Sequence, residues 1–296
     1  MKAGDTAALV LLGALWGGSY LFMRVAASEF GPVLLIELRV LIAALFLLPF
    51  LSAARQWNEL TAHARPIFFM GVINSALPFS LIAYSTLSLT AGYAAILNAT
   101  SPFFASAVAY SWLRERLSPF RVAGLVIGFL GVALLLWDDA SLGAEDALPA
   151  VAAALVAAFL YGVAANYSRV RLASAHALVT ATGSQIGAAL FLAPVAIFTI
   201  PPAVPSAPAW AALIALGVVS TGLAYVLYFR LIASAGATRA IVVTFLIPVF
   251  GMLWGLLALD EAVTVNMALG TVIILTGTAM TTGVGSRVTT HDSRVT

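Results

Sequence analysis

Ten long apolar stretches, joined by short polar or Gly/Pro-containing connections, constrain this chain more than any other feature. They cover residues 6–27, 32–51, 66–88, 91–112, 120–137, 148–168, 177–199, 209–231, 238–258 and 265–283. A helix needs roughly 20 apolar residues to cross a bilayer, and each stretch is close to that length. Ten such helices use most of the 296 residues, of which 62% are hydrophobic and 9% charged, so no sizeable extramembrane domain fits. The sequence therefore predicts an all-α polytopic membrane protein with ten transmembrane helices.

The charged residues divide between the two ends of the predicted helices. If the N-terminus lies in the cytoplasm, 12 of the 14 basic residues fall on the cytoplasmic side, and acidic residues such as Glu29, Asp260 and Glu261 fall outside. This asymmetry follows the positive-inside rule and predicts cytoplasmic N- and C-termini. Lys2 and the first apolar stretch resemble a signal peptide. The stretch is too long for one and Arg24 interrupts it, so we expect it to be retained.

The second half of the chain repeats the first. Residues 43–50 recur as residues 188–195, with six identities in eight, at an offset of 145. At an offset of 146, Glu115 maps onto Glu261, and several glycines and a proline recur as well. Rare residue types that agree along nearly a whole half-chain indicate a duplication.

The duplication predicts the domain organisation. We expect a first five-helix repeat over residues 1–140, a second over residues 141–283 and a polar cytoplasmic tail over residues 284–296. Five helices per repeat place the second half upside down relative to the first, and the charges agree, since Arg24 falls outside and its counterpart Arg169 inside. Inverted repeats are typical of carriers that work by alternating access.

Several other classes of function lack the residues that they need. The chain contains no cysteine, which excludes thiol catalysis and thiolate metal sites, and its only lysine is Lys2, which excludes an ATP-binding P-loop. His63, His176 and His291 lie in loops or near helix ends. We therefore expect no enzymatic activity, no metal and no cofactor. The basic residues are dispersed and their excess is +2, so we expect no nucleic-acid partner.

Polar residues and prolines deep in the predicted helices are candidates for a pathway, because they are costly against lipid. The prolines Pro102 and Pro248 fall near the helix centres, where each leaves a carbonyl without its amide partner; either a cavity or a nearby hydroxyl such as that of Thr244 would compensate. The asparagines would either bind substrate or bond a neighbouring helix. Candidates of this kind are Asn74, Pro78, Asn98, Ser101, Pro102, Tyr225, Thr244 and Pro248.

Four aromatic residues complete the predicted pathway. Trp16 and its counterpart Tyr161 lie at mid-depth, where they would either stack on a substrate or fill the helix packing. Tyr84 and Tyr93 lie near the outer ends of their helices, so an interfacial aromatic belt is the alternative for both.

Arg39 is the only basic residue deep in a predicted helix, and we interpret it as a candidate gate or substrate contact. Its alternative is to extend its side chain to the membrane surface. Glu37 is no helical partner, since residues two apart face different sides. Ser184 occupies the equivalent position in the second repeat.

These motifs resemble the drug/metabolite transporter superfamily, in particular EamA-type exporters with two five-helix repeats. The resemblance covers residues 6–283. It rests on Trp16-Gly17, Arg39, the segment 112–118 (WLRERLS), Gly124 and Gly131, and on the second-half counterparts Tyr161-Gly162, Asp260-Glu261, Gly270 and Gly277.

The resemblance implies a bacterial plasma (inner) membrane transporter that exports small metabolites, with amino acids of the aromatic and neutral kinds as the expected substrates. Glu37 is the only acidic residue in the predicted helices, which favours weak or no ion coupling. The alternative is a flippase or scramblase for lipids or lipid-linked sugars. The expected partners are a small-molecule substrate and membrane lipid. Gly124 and Gly131 serve either internal packing or a dimer contact, so monomer and homodimer stay open.

Overall fold

The computed structural model describes residues 3–137 and 146–283. These residues form helices and connecting turns, and no β-strand occurs among them. The predicted all-α polytopic fold is therefore confirmed. Lys2, the acidic residues 138, 139 and 145 and the tail over residues 284–296 lie outside the described residues, as do the expectations placed on them.

The described chain contains fifteen α-helices and three irregular helical segments. The first half of the chain contains α1 Ala3–Phe30, α2 Pro32–Ala53, α3 Trp57–Ala62, α4 Ala64–Gly71, α5 Leu77–Ser88, α6 Ala91–Asn98, α7 Ser101–Leu113 and α8 Pro119–Trp137. The second contains α9 Ala147–Arg171, α10 Ala177–Ala196, α11 Ala207–Ile214, α12 Ala224–Ala235, α13 Ala237–Ala240, α14 Val243–Leu259 and α15 Val265–Thr282. A 3₁₀ turn, Ile197–Thr199, extends α10.

Eight helical stretches of the described chain are long and apolar enough to cross a membrane. They are Ala3–Phe30, Pro32–Ala53, Ala64–Ser88, Pro119–Trp137, Ala147–Arg171, Ala177–Thr199, Ala207–Ala235 and Val265–Thr282. Val243–Leu259 is apolar but shorter, and the predicted helix over 91–112 is divided into α6 and α7. The count of ten transmembrane helices stays a prediction.

The break between α6 and α7 changes the expected role of one proline. Pro102 stands in the first turn of α7 rather than inside a continuous helix, and a proline there loses no helical hydrogen bond. The carbonyl of Asn98, one turn earlier, accepts a hydrogen bond from Ser101 Oγ at 2.6 Å. Pro248, its counterpart, does lie inside α14. The two prolines therefore occupy different helical contexts.

Two π-helical segments interrupt long helices at related positions. Val72–Ala76 joins α4 to α5, and Ala215–Leu223 joins α11 to α12. At the repeat offset of 145 residues, the sequence positions of Val72–Ala76 correspond to positions inside Ala215–Leu223. π-Helical turns are rare and occur often at functional sites.

Glycines let helices from the two halves approach closely. A Cβ atom at Gly17 of α1 would lie 2.6 Å from Phe250 Cβ of α14, and one at Gly162 of α9 would lie 2.9 Å from Phe104 Cβ of α7. Gly17 and Gly162 are sequence counterparts, and so are Phe250 and Phe104. Each contact thus joins a helix of one half to a helix of the other.

The predicted small-residue face of α8 is used inside the protein. A Cβ atom at Gly124 would lie 2.9 Å from the carbonyl oxygen of Gly277 on α15, and one at Gly131 would lie 2.9 Å from Ile274 Cγ1. These glycines therefore serve the packing of α8 on α15.

Two ion pairs mark the opposite ends of the bundle. Arg24 at the end of α1 pairs with Glu261, and Arg169 at the end of α9 pairs with Glu115 after α7. Glu261 bonds to the first residue of α6, which packs near the start of α9, whereas Glu115 follows α7, which packs near the end of α9. The two ion pairs are therefore separated by most of the length of α9. We call these ends the Glu261 face and the Arg169 face.

Candidate substrate site

A cavity of about 530 Å³ lies inside the bundle, between helices of the two halves. The first half contributes lining residues from α1, α2, α4, α5, α6 and α7 and from the first π-helical segment, and the second contributes α9, α12, α14, α15 and the second π-helical segment. The volume is within the roughly 300–1,000 Å³ that is typical of small-molecule sites.

The cavity lining reaches toward both faces of the bundle, but it is more exposed near the Arg169 face, where Ile241 is 43% exposed, than near the Glu261 face, where Met23 and Ile82 are each 2% exposed. The lining includes Ser168, Tyr228 and Ile241, which are one or two residues from Arg169, Arg230 and Arg239. Toward the other face it ends at residues such as Met23 and Ile82, next to the Arg24–Glu261 pair.

Aromatic rings form much of the cavity wall. Trp16 lies 5.2 Å from Tyr228 and 6.5 Å from Tyr225 between ring centroids, and Tyr161 lies 6.4 Å from Phe79. Tilted and edge-to-face pairs of this kind stabilise one another and leave ring faces and hydroxyl groups to line the space.

Most of the predicted pathway residues meet in this one cavity. Those that line it are Trp16, Arg39, Asn74, Asn98, Ser101, Pro102, Tyr161, Tyr225, Thr244 and Pro248. Ser101 and Thr244 each donate a hydrogen bond to a backbone carbonyl three residues earlier, at 2.6 Å and 2.8 Å. These two hydroxyl groups therefore also satisfy backbone acceptors where the helices begin.

Three predicted pathway residues lie elsewhere. Pro78 is buried in the first turn of α5, beyond the cavity lining. Tyr93 is 1% exposed in the packing between α6 and α8, where its hydroxyl donates to the carbonyl oxygen of Leu135 at 3.1 Å. Tyr84 is 39% exposed on the outside of α5.

Several lining residues were missed by the sequence reasoning. Ser19, Tyr20 and Met23 share one face of α1 with Trp16, which they follow by three, four and seven residues respectively. That helical spacing was the signal for them. Phe79 carried no such signal, because its place in the wall depends on how α5 packs.

Arg39 is 3% exposed and reaches the cavity from α2. Its Nε donates to Thr221 Oγ1 at 3.0 Å, one terminal nitrogen lies 3.6 Å from Met23 Sδ, and its guanidinium carbon lies 3.8 Å from the Phe79 ring centroid. The guanidinium is thus held in place by a hydroxyl, a thioether and an aromatic face.

Glu261 is the more enclosed of the two paired carboxylates. Its Oε2 accepts from Ala91 N–H at 2.9 Å, and Arg24 Nε lies 3.5 Å from its other oxygen. Burial raises the pKa of the Glu261 carboxyl, against the lowering effects of the Ala91 N–H and Arg24. By contrast, the side chains of Arg169 and Glu115 are 53% and 40% exposed.

Within residues 3–137 and 146–283, no group of three His, Asp or Glu side chains lies close enough together to hold a metal ion. The chemistry of the site is therefore that of aromatic rings, neutral polar groups and one guanidinium. Groups of this kind can hold an organic solute by stacking, hydrogen bonding and charge attraction.

The family comparison adds to this geometry. The model of the EamA-like transporter family matches residues 5–137 and 148–283. The chain belongs to the EamA-like transporter family. The resemblance inferred from the sequence motifs is thereby confirmed, and this EamA protein is a multi-pass membrane transporter.

Individual proteins resemble this EamA transporter over nearly their whole lengths. An uncharacterized transporter, YoaV, of Bacillus subtilis (strain 168) is 27% identical over 281 residues, which cover 92% of this chain and 94% of the relative. An uncharacterized transporter of Archaeoglobus fulgidus is 27% identical over 285 residues, which cover 93% and 96%. A solved crystal structure with 23% identity covers 98% of this chain and 100% of the other, with a TM-score of 0.67, and so shares its fold.

Proposed function

We propose that this transporter exports neutral and aromatic amino acids across a bacterial inner membrane by alternating access, without a dedicated coupling ion. The observation that carries the proposal is the cavity of about 530 Å³ between the two halves, with an aromatic wall and one guanidinium. An amino acid with an apolar side chain presents complementary groups, since its side chain suits the rings and its backbone groups suit the polar side chains.

The distribution of polar groups favours a small solute over a lipid. Asn74, Asn98 and Thr221, from three different helical segments, line one cavity together with Arg39. A lipid flippase would instead need a polar groove along the lipid-facing surface, so that a headgroup can cross while its acyl chains stay in the bilayer. Convergence of the polar side chains inside the bundle supports transport of a solute that enters whole.

The two ion pairs support alternating access. Arg24 and Arg169 are counterparts in the duplicated sequence, and so are Glu261 and Glu115; each pair joins an arginine of one half to a glutamate of the other. In a carrier with inverted repeats, exchange of conformation between the halves closes one face as it opens the other. Both pairs are formed in this structure, so we infer that they are equivalent latches, one at each face, and that a face is closed when its latch is enclosed rather than merely formed.

The latches differ in this conformation. The Glu261 latch is enclosed and hydrogen-bonded to backbone, whereas the Arg169 latch is exposed and lies at the face near which the cavity lining is more exposed. We infer a conformation that is closed at the Glu261 face. With the proposed cytoplasmic N-terminus, the cavity then faces the cytoplasm, where an exporter takes up its substrate.

The acidic residues support the absence of a dedicated coupling ion. Among the described residues that line the cavity there is no carboxylate. Within residues 3–137 and 146–283, Glu37 is the one acid in the interior of a membrane helix, and it lies outside the cavity lining. Carriers coupled to protons or sodium commonly keep an ionisable or carboxylate group where the ion binds.

Counterflow in proteoliposomes tests the proposal. Vesicles are preloaded with unlabelled amino acids and diluted into labelled phenylalanine, leucine, threonine or methionine, with equal pH and salt on both sides. Transient accumulation of labelled phenylalanine above its external concentration is expected, because exchange through a carrier needs no ion gradient. Accumulation that appears only with a pH gradient would overturn the uncoupled mechanism. Absence of accumulation for the whole panel, by folded protein, would overturn the substrate assignment.

A further inference from the structure

The cavity contains a buried positive charge without a protein counter-charge. Arg39 is 3% exposed, and no carboxylate lies within ion-pair distance of it in the described part of the chain, where the ion pairs are those of Arg24 and Arg169. Arginine stays protonated in proteins, so it cannot relieve this cost by losing its charge. An unpaired charge in a buried site is unfavourable unless a ligand compensates it.

The contacts of Arg39 hold the side chain but leave it unsatisfied. Thr221 Oγ1 accepts a hydrogen bond from Arg39 Nε, and Met23 Sδ is a weak acceptor for one terminal nitrogen. Phe79 supports one face of the guanidinium plane at 3.8 Å from the ring centroid. The other terminal nitrogen has no acceptor among the described residues. The guanidinium is therefore held in a fixed orientation with N–H groups that have no acceptor in the described chain, and these can donate to a planar anion such as a carboxylate.

Two further polar groups in the lining have no partner. Ser19 is 5% exposed and Ser220 is 1% exposed, and neither Oγ has a hydrogen-bond partner among the described residues. Ser220 precedes Thr221 in the second π-helical segment, so it lies beside the residue that holds Arg39. Buried hydroxyl groups are normally hydrogen-bonded, and here a bound ligand would supply the missing hydrogen-bond partners.

The equivalent position of the second half lacks this arrangement. Ser184 stands in place of Arg39, and its hydroxyl donates to the carbonyl oxygen of Ala181 at 2.9 Å. The backbone of Gly71 packs directly against Ser184, so that an added Cβ would clash with the Ser184 carbonyl oxygen. The anion site is thus a feature of one half, and the duplicated scaffold does not require it.

We propose that Arg39 binds the carboxylate of the transported solute, with Ser19 and Ser220 as hydrogen-bonding partners, so that the cavity selects small carboxylates with an apolar or aromatic side chain. This inference rests on the proposed function and narrows it. The carboxylate then lies beside Arg39, and the side chain extends among Trp16, Tyr161 and Tyr225. Amines and amides of the same shape lack the charge that Arg39 requires.

The test compares substrates that differ only at the carboxylate. Counterflow of labelled phenylalanine is measured against competition by unlabelled phenylalanine, phenylalaninamide and 2-phenylethylamine. We expect wild-type protein to prefer phenylalanine over the amide and the amine by roughly 10- to 100-fold, as loss of a charge-assisted hydrogen-bonding pair implies. Arg39→Gln should lose most of this preference, and Arg39→Lys should retain part of it.

Matched controls separate binding from folding. Arg65→Gln removes an exposed arginine on α4 and should leave the preference unchanged. Arg39→Gln removes a buried charge, so the variant should remain folded, as checked by its thermal unfolding midpoint in detergent. Ser220→Ala gives an independent readout, with weaker competition by phenylalanine and no loss of the charge.

The outcomes distinguish the inference from the proposed function. Equal competition by phenylalanine and its amide, with Arg39→Gln unchanged, would overturn the carboxylate site while amino-acid transport stands. Counterflow of 3-phenylpropionate but of no amino acid, abolished by Arg39→Gln, would support the site and overturn the substrate assignment. Counterflow of neither class by folded wild-type protein would overturn both.

Discussion

Neutralisation of Glu261 is expected to open the Glu261 face of the transporter. The Glu261 carboxylate accepts from Ala91 N–H at 2.9 Å and lies 3.5 Å from Arg24 Nε, and Arg24 also donates to the carbonyl oxygens of Thr86 and Leu87 at 2.6 Å and 2.8 Å. The pair thus joins the ends of α1, α5, α6 and α14. Glu261→Gln keeps the shape and one acceptor for the Ala91 N–H, but removes the charge attraction.

The surroundings of the pair set the size of this effect. Two unit charges 3.5 Å apart attract by about 5 kcal/mol at an effective dielectric constant near 20, and desolvation cancels much of that. With side chains 33% and 12% exposed, we expect a net loss of about 1–3 kcal/mol, or a shift of about 5- to 150-fold between the two conformations. The equivalent Glu115→Gln breaks an exposed pair, worth about 0–1 kcal/mol.

Cysteine labelling measures this shift, because the chain contains no native cysteine. Ile82 is 2% exposed and lines the cavity near the Glu261 face, so a cysteine at this position reports access from that side. The rate of reaction with a membrane-impermeant maleimide, added from the Glu261 face, is compared among Ile82→Cys proteins with the native latches, with Glu261→Gln and with Glu115→Gln.

The expected result is faster labelling in the Glu261→Gln protein and a nearly unchanged rate in the Glu115→Gln protein. Equal rates in all three proteins would refute the role of the ion pairs as latches. A larger increase with Glu115→Gln would refute the assignment of the Glu261 face as the closed one.

The remaining predictions concern pH, substrate stacking, packing and coupling. Because burial raises the pKa of Glu261, its carboxyl gains a proton at a higher pH than an exposed glutamate does; acidification should therefore raise the labelling rate of the protein with native latches relative to that of Glu261→Gln at the same pH, a ratio that cancels the slower reaction of the cysteine thiol in acid. Trp16→Ala should raise the KM for phenylalanine roughly 2- to 12-fold more than the KM for alanine, since it removes an aromatic stacking partner. Gly17→Ala should lower stability by about 1–3 kcal/mol in thermal unfolding, because its Cβ would lie 2.6 Å from a side-chain atom of α14, whereas Gly4→Ala on the same helix has open space and should not. Glu37→Gln should leave counterflow and its pH profile unchanged; a lost pH dependence would indicate proton coupling through this acid.

Depth and polarity made much of the site predictable from the sequence. Asn74, Asn98 and Arg39 are costly against lipid, so their position in a membrane helix already indicated an interior environment. The structure brings all three into one cavity. Trp16 and Tyr161 were found through the duplication, which gave two aromatic residues at equivalent depth.

Which side of a helix faces the cavity was harder to predict. Tyr93 is polar and aromatic, as a pathway residue would be, yet its hydroxyl donates a hydrogen bond to the Leu135 carbonyl oxygen between two helices. Tyr20 lines the cavity but was missed, although it follows Trp16 by one helical turn. Apolar residues surround each helix of a membrane bundle, so hydrophobic periodicity, which orients helices in soluble proteins, gives a weak signal here.

Which residues pair across the two halves could not be predicted from any local sequence pattern. The sequence placed Arg24 and Glu261 on one side and Arg169 and Glu115 on the other, but not which residues bond across the halves. The break between α6 and α7 also depends on context, because Pro102 is compatible with both a kinked helix and the first turn of a new one.

A structure of the transporter determined with phenylalanine tests the central claim most directly. The account predicts one phenylalanine in the cavity between the halves, with its carboxylate oxygens within hydrogen-bonding distance of the Arg39 guanidinium and its ring beside Trp16, Tyr161 or Tyr225. Phenylalanine bound on the lipid-facing surface, or in the cavity with its carboxylate turned away from Arg39, would contradict it.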